Sequence, residues 1–240
     1  MKEGRHRFIV GKTRSGKSNW TYQQAIAYQK ENPDHGIIVI NHKRDQGWNK
    51  LIPPFEREGH APVFKRGAVI NWCLTDDDNW LLDTFLRKVI KAGRKDKPTG
   101  CLIIIDESQS IPQHFAPLKT LLVQGAGMGI SVWMLTQRPA FVSLFGITQS
   151  SEIIVFNVMG LRDQETLNEY MEGQLLPYIR GSGVLPKYNY LSYDYAENAV
   201  VVNEPCAVLR PSDVLKKPTS RVVKTLGFFA VAALAVKTLF

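Results

Sequence analysis

Phe8-Ile9-Val10-Gly11-Lys12-Thr13-Arg14-Ser15-Gly16-Lys17-Ser18 is the stretch on which the reading of this chain turns. A short apolar run enters a glycine-containing turn, and a lysine and a serine lead out of it. Gly11, Lys12, Thr13, Arg14, Ser15, Gly16, Lys17 and Ser18 satisfy G-x-x-x-x-G-K-[ST]. The apolar run before and the helical pattern after give the strand–loop–helix setting that this pattern needs. Glycines there let backbone N–H groups turn inward around phosphate oxygens, and the following helix N-terminus adds positive potential. These eight residues are therefore the expected nucleotide-phosphate site. Lys17 is expected to reach the β- and γ-phosphates of ATP, and Ser18 to hold Mg²⁺.

Outward from the loop, residues 18–30 read as a helix. Ile37-Ile38-Val39-Ile40 reads as a second buried strand, bounded by Gly36 and the polar Asn41-His42-Lys43-Arg44-Asp45. Pro53-Pro54 is expected to break the chain into a loop. Thr75-Asp76-Asp77-Asp78 looks like a helix start with acids in its first turn. Leu81, Leu82, Phe85, Leu86, Val89 and Ile90 follow at helical spacing, and Gly93 marks the stop. Cys101-Leu102-Ile103-Ile104-Ile105 is the clearest strand. A helix is expected near 118–124, strands over 130–135 and 153–158, a helix over 162–172, and a hairpin pairing 188–194 with 199–202. Continuous β-branched runs suit a parallel sheet covered on both faces. The strand–helix alternation predicts an α/β fold built on a mostly parallel sheet with helices on both faces.

Asp106-Glu107 follows the clearest strand directly. Asp106 is placed to orient Mg²⁺ and its water shell, and Glu107 to activate the attacking water. Gln137 ends the next strand, and parallel strands deliver their carboxyl ends to one crevice. An amide there can sense the γ-phosphate or position water. Arg138 reads equally as a phosphate contact or as half of a structural ion pair. The expected catalytic set is thus Lys17, Glu107, Gln137 and Arg138, with Ser18 and Asp106 on the metal.

With these residues in place, the chain resembles the FtsK/HerA superfamily of DNA-pumping ATPases. The resemblance rests on the loop, on Asp106-Glu107, and on Gly129-Ile130-Ser131-Val132-Trp133-Met134-Leu135-Thr136-Gln137-Arg138-Pro139. Ser150-Ser151-Glu152-Ile153-Ile154-Val155-Phe156 and Asp163 extend it. It covers roughly residues 7–172, and the small size is most similar to the genome-packaging ATPases of membrane-containing icosahedral viruses. It implies a RecA-like core, a homo-oligomeric ring and ATP hydrolysis coupled to movement of double-stranded DNA. It also implies a place in the virion at a packaging vertex, and in the host cytoplasm or membrane before assembly. Two departures stand out. Many relatives carry an arginine where this chain has Gly125-Ala126-Gly127-Met128, which leaves Arg162, Arg180 and Arg94 as candidates for a trans-acting cation. Relatives often end the second strand with an acid, where this chain has Asn41.

Composition is compatible with that reading. The chain has 240 residues, is 44% hydrophobic and carries a formal net charge of +8. A basic surplus suits an anionic partner, nucleic acid or membrane, although general solubility also explains it. Three scattered cysteines and five histidines show no disulfide or zinc spacing, as expected in a reducing compartment. Met1 to His6 lack an apolar stretch of the secretory kind. Lys43, Arg44, Lys95 and Lys97 are candidate DNA-phosphate contacts or simply solvated. Tyr188, Tyr190, Tyr193 and Tyr195 either stack on bases or decorate a strand.

The expected domains are an ATPase domain at 1–210 and a basic linker with an apolar C-terminal helix at 211–240. The apolar run at 226–236, flanked by Lys224 and Lys237, is shorter than the about 20 residues of a full span. It suits attachment to an anionic bilayer or to small viral membrane proteins, with docking or burial in the chain's own core as alternatives. Two other functions fit the same features. One is a filamentous-phage assembly ATPase of the Zot type; the other is a nucleotide-dependent membrane scaffold that moves nothing.

Overall fold

The computed structural model describes residues 4–56, 59–65, 67–75, 78–94, 100–180, 184–208 and 215. The expected apolar C-terminal helix, Lys95 and Lys97 lie outside the described residues. Among the described residues no helix is long and apolar enough to cross a membrane.

In chain order the elements are β1 (Arg7–Val10), α1 (Lys17–Glu31), β2 (Gly36–Asn41), α2 (Gln46–Leu51), β3 (Pro54–Phe55), β4 (Val69–Trp72) and α3 (Asn79–Gly93). There follow β5 (Cys101–Asp106), α4 (Ala116–Gln124), β6 (Ile130–Thr136), α5 (Leu144–Thr148), β7 (Glu152–Val155), α6 (Leu161–Tyr170), α7 (Leu176–Ile179), β8 (Tyr190–Asp194) and β9 (Ala199–Asn203). The strands form one sheet in the order β3-β4-β2-β5-β6-β1-β7-β8-β9. Every pairing from β3 to β7 is parallel, and β8 and β9 extend the sheet antiparallel.

All residues of β2, β5 and β6 are buried, as strands sandwiched between helices must be. Alternation along each strand sends side chains to two cores. Phe8, Val10, Ile38, Ile40, Ile103, Ile105, Val132 and Met134 pack under α3 and α4, around Phe85, Leu86 and Leu121. Ile9, Ile37, Val39, Leu102, Ile104 and Leu135 pack on the opposite face against Trp20 of α1 and Trp48 of α2.

Some elements depart from expectation. Pro54 is not in a loop: Pro54–Phe55 pairs with β4 at the sheet edge, where a missing N–H is tolerated. Asp78 caps the start of α3 instead of lying in its first turn, and it accepts from the Thr75 N–H and hydroxyl. The strand β7 is shorter than expected because, after Phe156 donates to the Val10 carbonyl at 2.8 Å, the Asn157 carbonyl accepts from Lys12 in the loop, also at 2.8 Å. The strand β4 was not legible, since Asn71 interrupts its apolar run. Buried Asn71 is satisfied by Asn41, Asn49 and the Ile52 carbonyl, at 2.8–3.2 Å.

Candidate nucleotide site

The sheet order brings the carboxyl ends of β5, β6 and β1 side by side, and the expected residues sit there. Gly11 donates its N–H to the Thr136 carbonyl at 3.1 Å, and the Ser15 N–H returns to the Lys12 carbonyl at 3.2 Å. A Cβ at Gly11 would lie 2.6 Å from Ser15 Oγ and 2.7 Å from Phe156 Cβ, so no side chain fits. Gly16 has φ 107° and Arg14 φ 61°; the left-handed backbone at Gly16 is glycine territory. The loop then feeds α1, whose first residue is Lys17. Lys17 is 6% exposed, and its charge acts on both Asp106 and Glu107. Ser15 Oγ is buried with no hydrogen-bond partner among the described residues. A tight glycine turn, a buried hydroxyl unsatisfied among the described residues and a buried ammonium at the start of α1 fit a phosphate chain.

Asp106 is buried at the end of β5, and its carboxyl is pushed up to about 6 by burial, against the pull of Lys17. Glu107, next in the chain, has φ 59°. Burial raises its carboxyl, but the hydrogen bond from Lys43, the charge of Lys17 and hydrogen bonds from the Gln137 and Gln109 amides outweigh this and hold it low. Its Oε1 accepts from Lys43 Nζ and, at 2.8 Å, from Gln137 Nε2; its Oε2 accepts from Gln109. Gln137 Oε1 in turn accepts from the Thr13 hydroxyl at 2.7 Å. A continuous side-chain path therefore joins the phosphate loop to Glu107. Gln109 is itself fixed by the Thr136 hydroxyl, at 2.7 Å.

Arg138 occupies the ion-pair alternative. Its Nε donates to buried Asp163 at 2.9 Å, and its guanidinium lies 4.5 Å over Phe141. Asp163 also accepts the Ala140 N–H at 3.1 Å, which pins the turn after β6. Of the other arginines, Arg94 reaches Gln124 and Arg180 reaches Gln164, both at 2.9 Å, while exposed Arg162 lies 5.4 Å over Phe141. Three of the four tyrosines are taken up by packing, while Tyr188 is exposed beneath Lys187. Tyr193 is 1% exposed, Tyr190 packs on Trp20 and Phe156, and Tyr195 packs on Tyr193. Asn41 is fully buried and structural: its amide oxygen accepts the Asp45 N–H at 2.7 Å. Lys43 and Gln109 escaped the sequence reading as members of this site. Lys43 arrives only because Asn41 at the end of β2 stands in register with Asp106.

No family model matches the chain. Its sequence is 27% identical over 230 residues to the DNA packaging ATPase P9 of Enterobacteria phage PRD1, covering 90% of this chain and 96% of that protein. Its fold is similar to B204, the DNA-packaging ATPase of Sulfolobus Turreted Icosahedral Virus, with TM-score 0.65 and 19% identity over 86% of this chain and all of that one. A further likeness is to ATPases 2 and 3 of EssC from Geobacillus thermodenitrificans, with TM-score 0.59, 13% identity, and 88% of this chain against 40% of that one. These relatives agree with the resemblance read from the loop, Asp106-Glu107 and Thr136-Gln137-Arg138-Pro139, and they establish a P-loop NTPase fold.

Proposed function

We propose that this chain is an ATP-hydrolysing motor that moves double-stranded DNA into a viral capsid. One observation carries the reading: Glu107, directly after Asp106 at the end of β5, is tied through Gln137 to Thr13 of the phosphate loop. The carboxylate assigned to activating water is thereby linked to the loop assigned to holding the phosphates. In this reading the loop N–H groups and Lys17 hold the triphosphate of ATP. Ser18 and Asp106 would hold Mg²⁺, which supplies charge neutralisation across the phosphates. Glu107 takes a proton from water as the water oxygen attacks the γ-phosphorus, and ADP leaves with the β–γ bridging oxygen. Gln137 aligns the water between Glu107 and the phosphate. The donors on Glu107 occupy Oε1 twice and Oε2 once, which leaves one of a carboxylate's roughly four lone-pair sites, on Oε2, for the attacking water.

DNA as the cargo is supported by the packaging role named for the PRD1 and turreted-virus relatives and by the +8 charge. The finer assignments belong to the same proposal: a homo-oligomeric ring, Mg²⁺ as the resident ion, a place in the virion at a packaging vertex, and a tail that meets a membrane or small viral membrane proteins. The test is the ATPase rate of the assembled protein with and without duplex DNA, beside Glu107→Gln. The wild type should be accelerated by duplex DNA. The variant should still bind ATP and lose about 100-fold or more in rate. Hydrolysis indifferent to DNA removes the motor, and a Glu107→Gln variant that turns over normally moves the base elsewhere.

A further inference from the structure

The outer face of α3 carries a row of cations that neither the core nor the nucleotide site uses. Trp80, Arg87, Lys91 and Arg94 follow one another at intervals of seven, four and three residues, which is one stripe of a helix. Arg94, just past the last turn, keeps helical backbone. The opposite side is the buried one, with Leu81, Leu82, Phe85, Leu86, Val89 and Ile90. Arg87, Lys91 and Arg94 are exposed, as is Lys88 beside them. Trp80 is 62% exposed, whereas the other four tryptophans are at most 3% exposed.

Against α4 this row forms a groove of about 350 Å³, with Arg87, Lys91 and Arg94 on one side and the short Ala116, Pro117 and Thr120 on the other. Arg94 reaches across to Gln124 of α4 at 2.9 Å. The charge of the groove is one-sided. Asp83 is the only acid of α3 and is paired with Arg87. No Asp or Glu occurs from Ser108 to Ser151, a stretch that includes all of α4. Among the described residues Lys88 and Lys91 make no salt bridge. Seven residues of helix separate Arg87 from Arg94, about 10.5 Å at 1.5 Å per residue. One strand of duplex DNA presents a phosphate about every 3.4 Å of axis, so a strand laid along the row offers it about three phosphates. A bilayer fits this face poorly, because a helix lying in a membrane surface inserts its apolar side, and that side of α3 is in the core.

We propose that the groove between α3 and α4 is a duplex-DNA contact surface, with Arg87, Lys91 and Arg94 on the phosphates of one strand and Trp80 covered at the end of the row. This surface rests on the DNA-moving function proposed above and names contact residues for it.

The experiment measures binding of a fluorescently labelled, mixed-sequence duplex to the full chain across a range of salt, with a non-hydrolysed ATP analogue present. Each phosphate contact contributes about 0.9 to the slope of log affinity against log salt. Arg87→Gln combined with Lys91→Gln should flatten that slope by about 2 for each protomer engaged, and lower affinity about 10-fold or more at about 0.1 M salt. It should melt near wild type, since both side chains are exposed. Lys30→Gln combined with Lys50→Gln removes the same charge from exposed positions on α1 and α2, across the sheet, and should bind as wild type does. Asp83→Asn, which releases Arg87, should tighten binding. Acrylamide quenching of tryptophan fluorescence reads Trp80 alone, and saturating duplex should shield it. A wild-type slope in the Arg87 and Lys91 variant, equal losses in both double variants, or a Trp80 as open to acrylamide with duplex as without it each overturns the groove while DNA binding itself stands. Phosphatidylserine vesicles run in parallel: a variant that loses the vesicles and keeps the duplex gives the row to a membrane and overturns it as well. A wild type that ignores duplex at low salt ends the DNA reading and the groove together.

Discussion

Glu107 is held by three neighbours that come from three different places in the chain: Lys43 after β2, Gln109 after β5 and Gln137 after β6. Only Gln137 also touches the phosphate loop, through Thr13. The difference yields a prediction at this scale. Gln137→Ala leaves Lys43 and Gln109 on Glu107 but cuts the path to the loop. Turnover should fall about 100-fold, as for loss of one preorganised donor, with little change in KM for ATP. An unaltered kcat would reduce Gln137 to a packing role. The residues legible beforehand were those whose spacing is local. The loop is read from eight consecutive positions, and Asp106-Glu107 from the end of one apolar run. Lys43 was named only as a candidate DNA contact, because its tie to Glu107 depends on β2 lying beside β5.

Among the elements, the long apolar ones declared themselves. Helix α3 buries all six residues singled out at its spacing, and β5 and β6 are buried throughout. The short polar-edged ones did not. Strand β4 carries an asparagine satisfied by residues of β2 and α2 and by the Ile52 carbonyl just past α2, and α2 depends on Asp45 as its cap. The strand β1 shows how one side chain can tie an element to its neighbour. His6, just before it, is 3% exposed, and its Nδ1 accepts the Val132 N–H of β6 at 3.0 Å. That acceptor role requires a neutral ring, and burial lowers the imidazole from 6.5 to about 4. Between those values the unfolded chain binds a proton that the fold refuses, so stability rises with pH across this window and is lost as pH falls through it. The slope is at most about 1.4 kcal/mol per pH unit from this group. Urea midpoints of wild type and His6→Gln, compared from pH 7 to 4, should converge as the wild type loses its advantage. Parallel curves would show that His6 is not the group responsible.

For the whole molecule the open question is where the ATPase domain stops and what the remaining segment does. A boundary at 210 was expected from the change in composition there. Described residues past β9 nonetheless lie on the body of the protein. The Ala207 carbonyl accepts from Asn19 at 2.9 Å and Gln23 at 3.4 Å, both on α1, and Leu215 is 5% exposed within the cluster of Ile9, Trp20 and Trp48. We therefore propose that the domain runs at least to Leu215, and that the membrane-seeking segment begins with the basic residues after it. Two truncations separate these roles. Ending the chain after Lys217 should leave a folded protein that binds ATP, because every proposed site residue and Leu215 remain. Ending it after Arg210 removes Leu215 as well and should cost a further roughly 1.5–3 kcal/mol, the worth of one buried leucine, seen as a lower denaturation midpoint. Both should fail to float with anionic liposomes that carry the full chain, because both lack Arg221, Lys224 and the apolar run at 226–236. Lysines near such a surface contribute about 1 kcal/mol each, so flotation of the full chain should weaken with salt. Equal midpoints for the two truncations would return the boundary to 210. A full chain that ignores anionic liposomes would give the tail a protein partner instead of a bilayer.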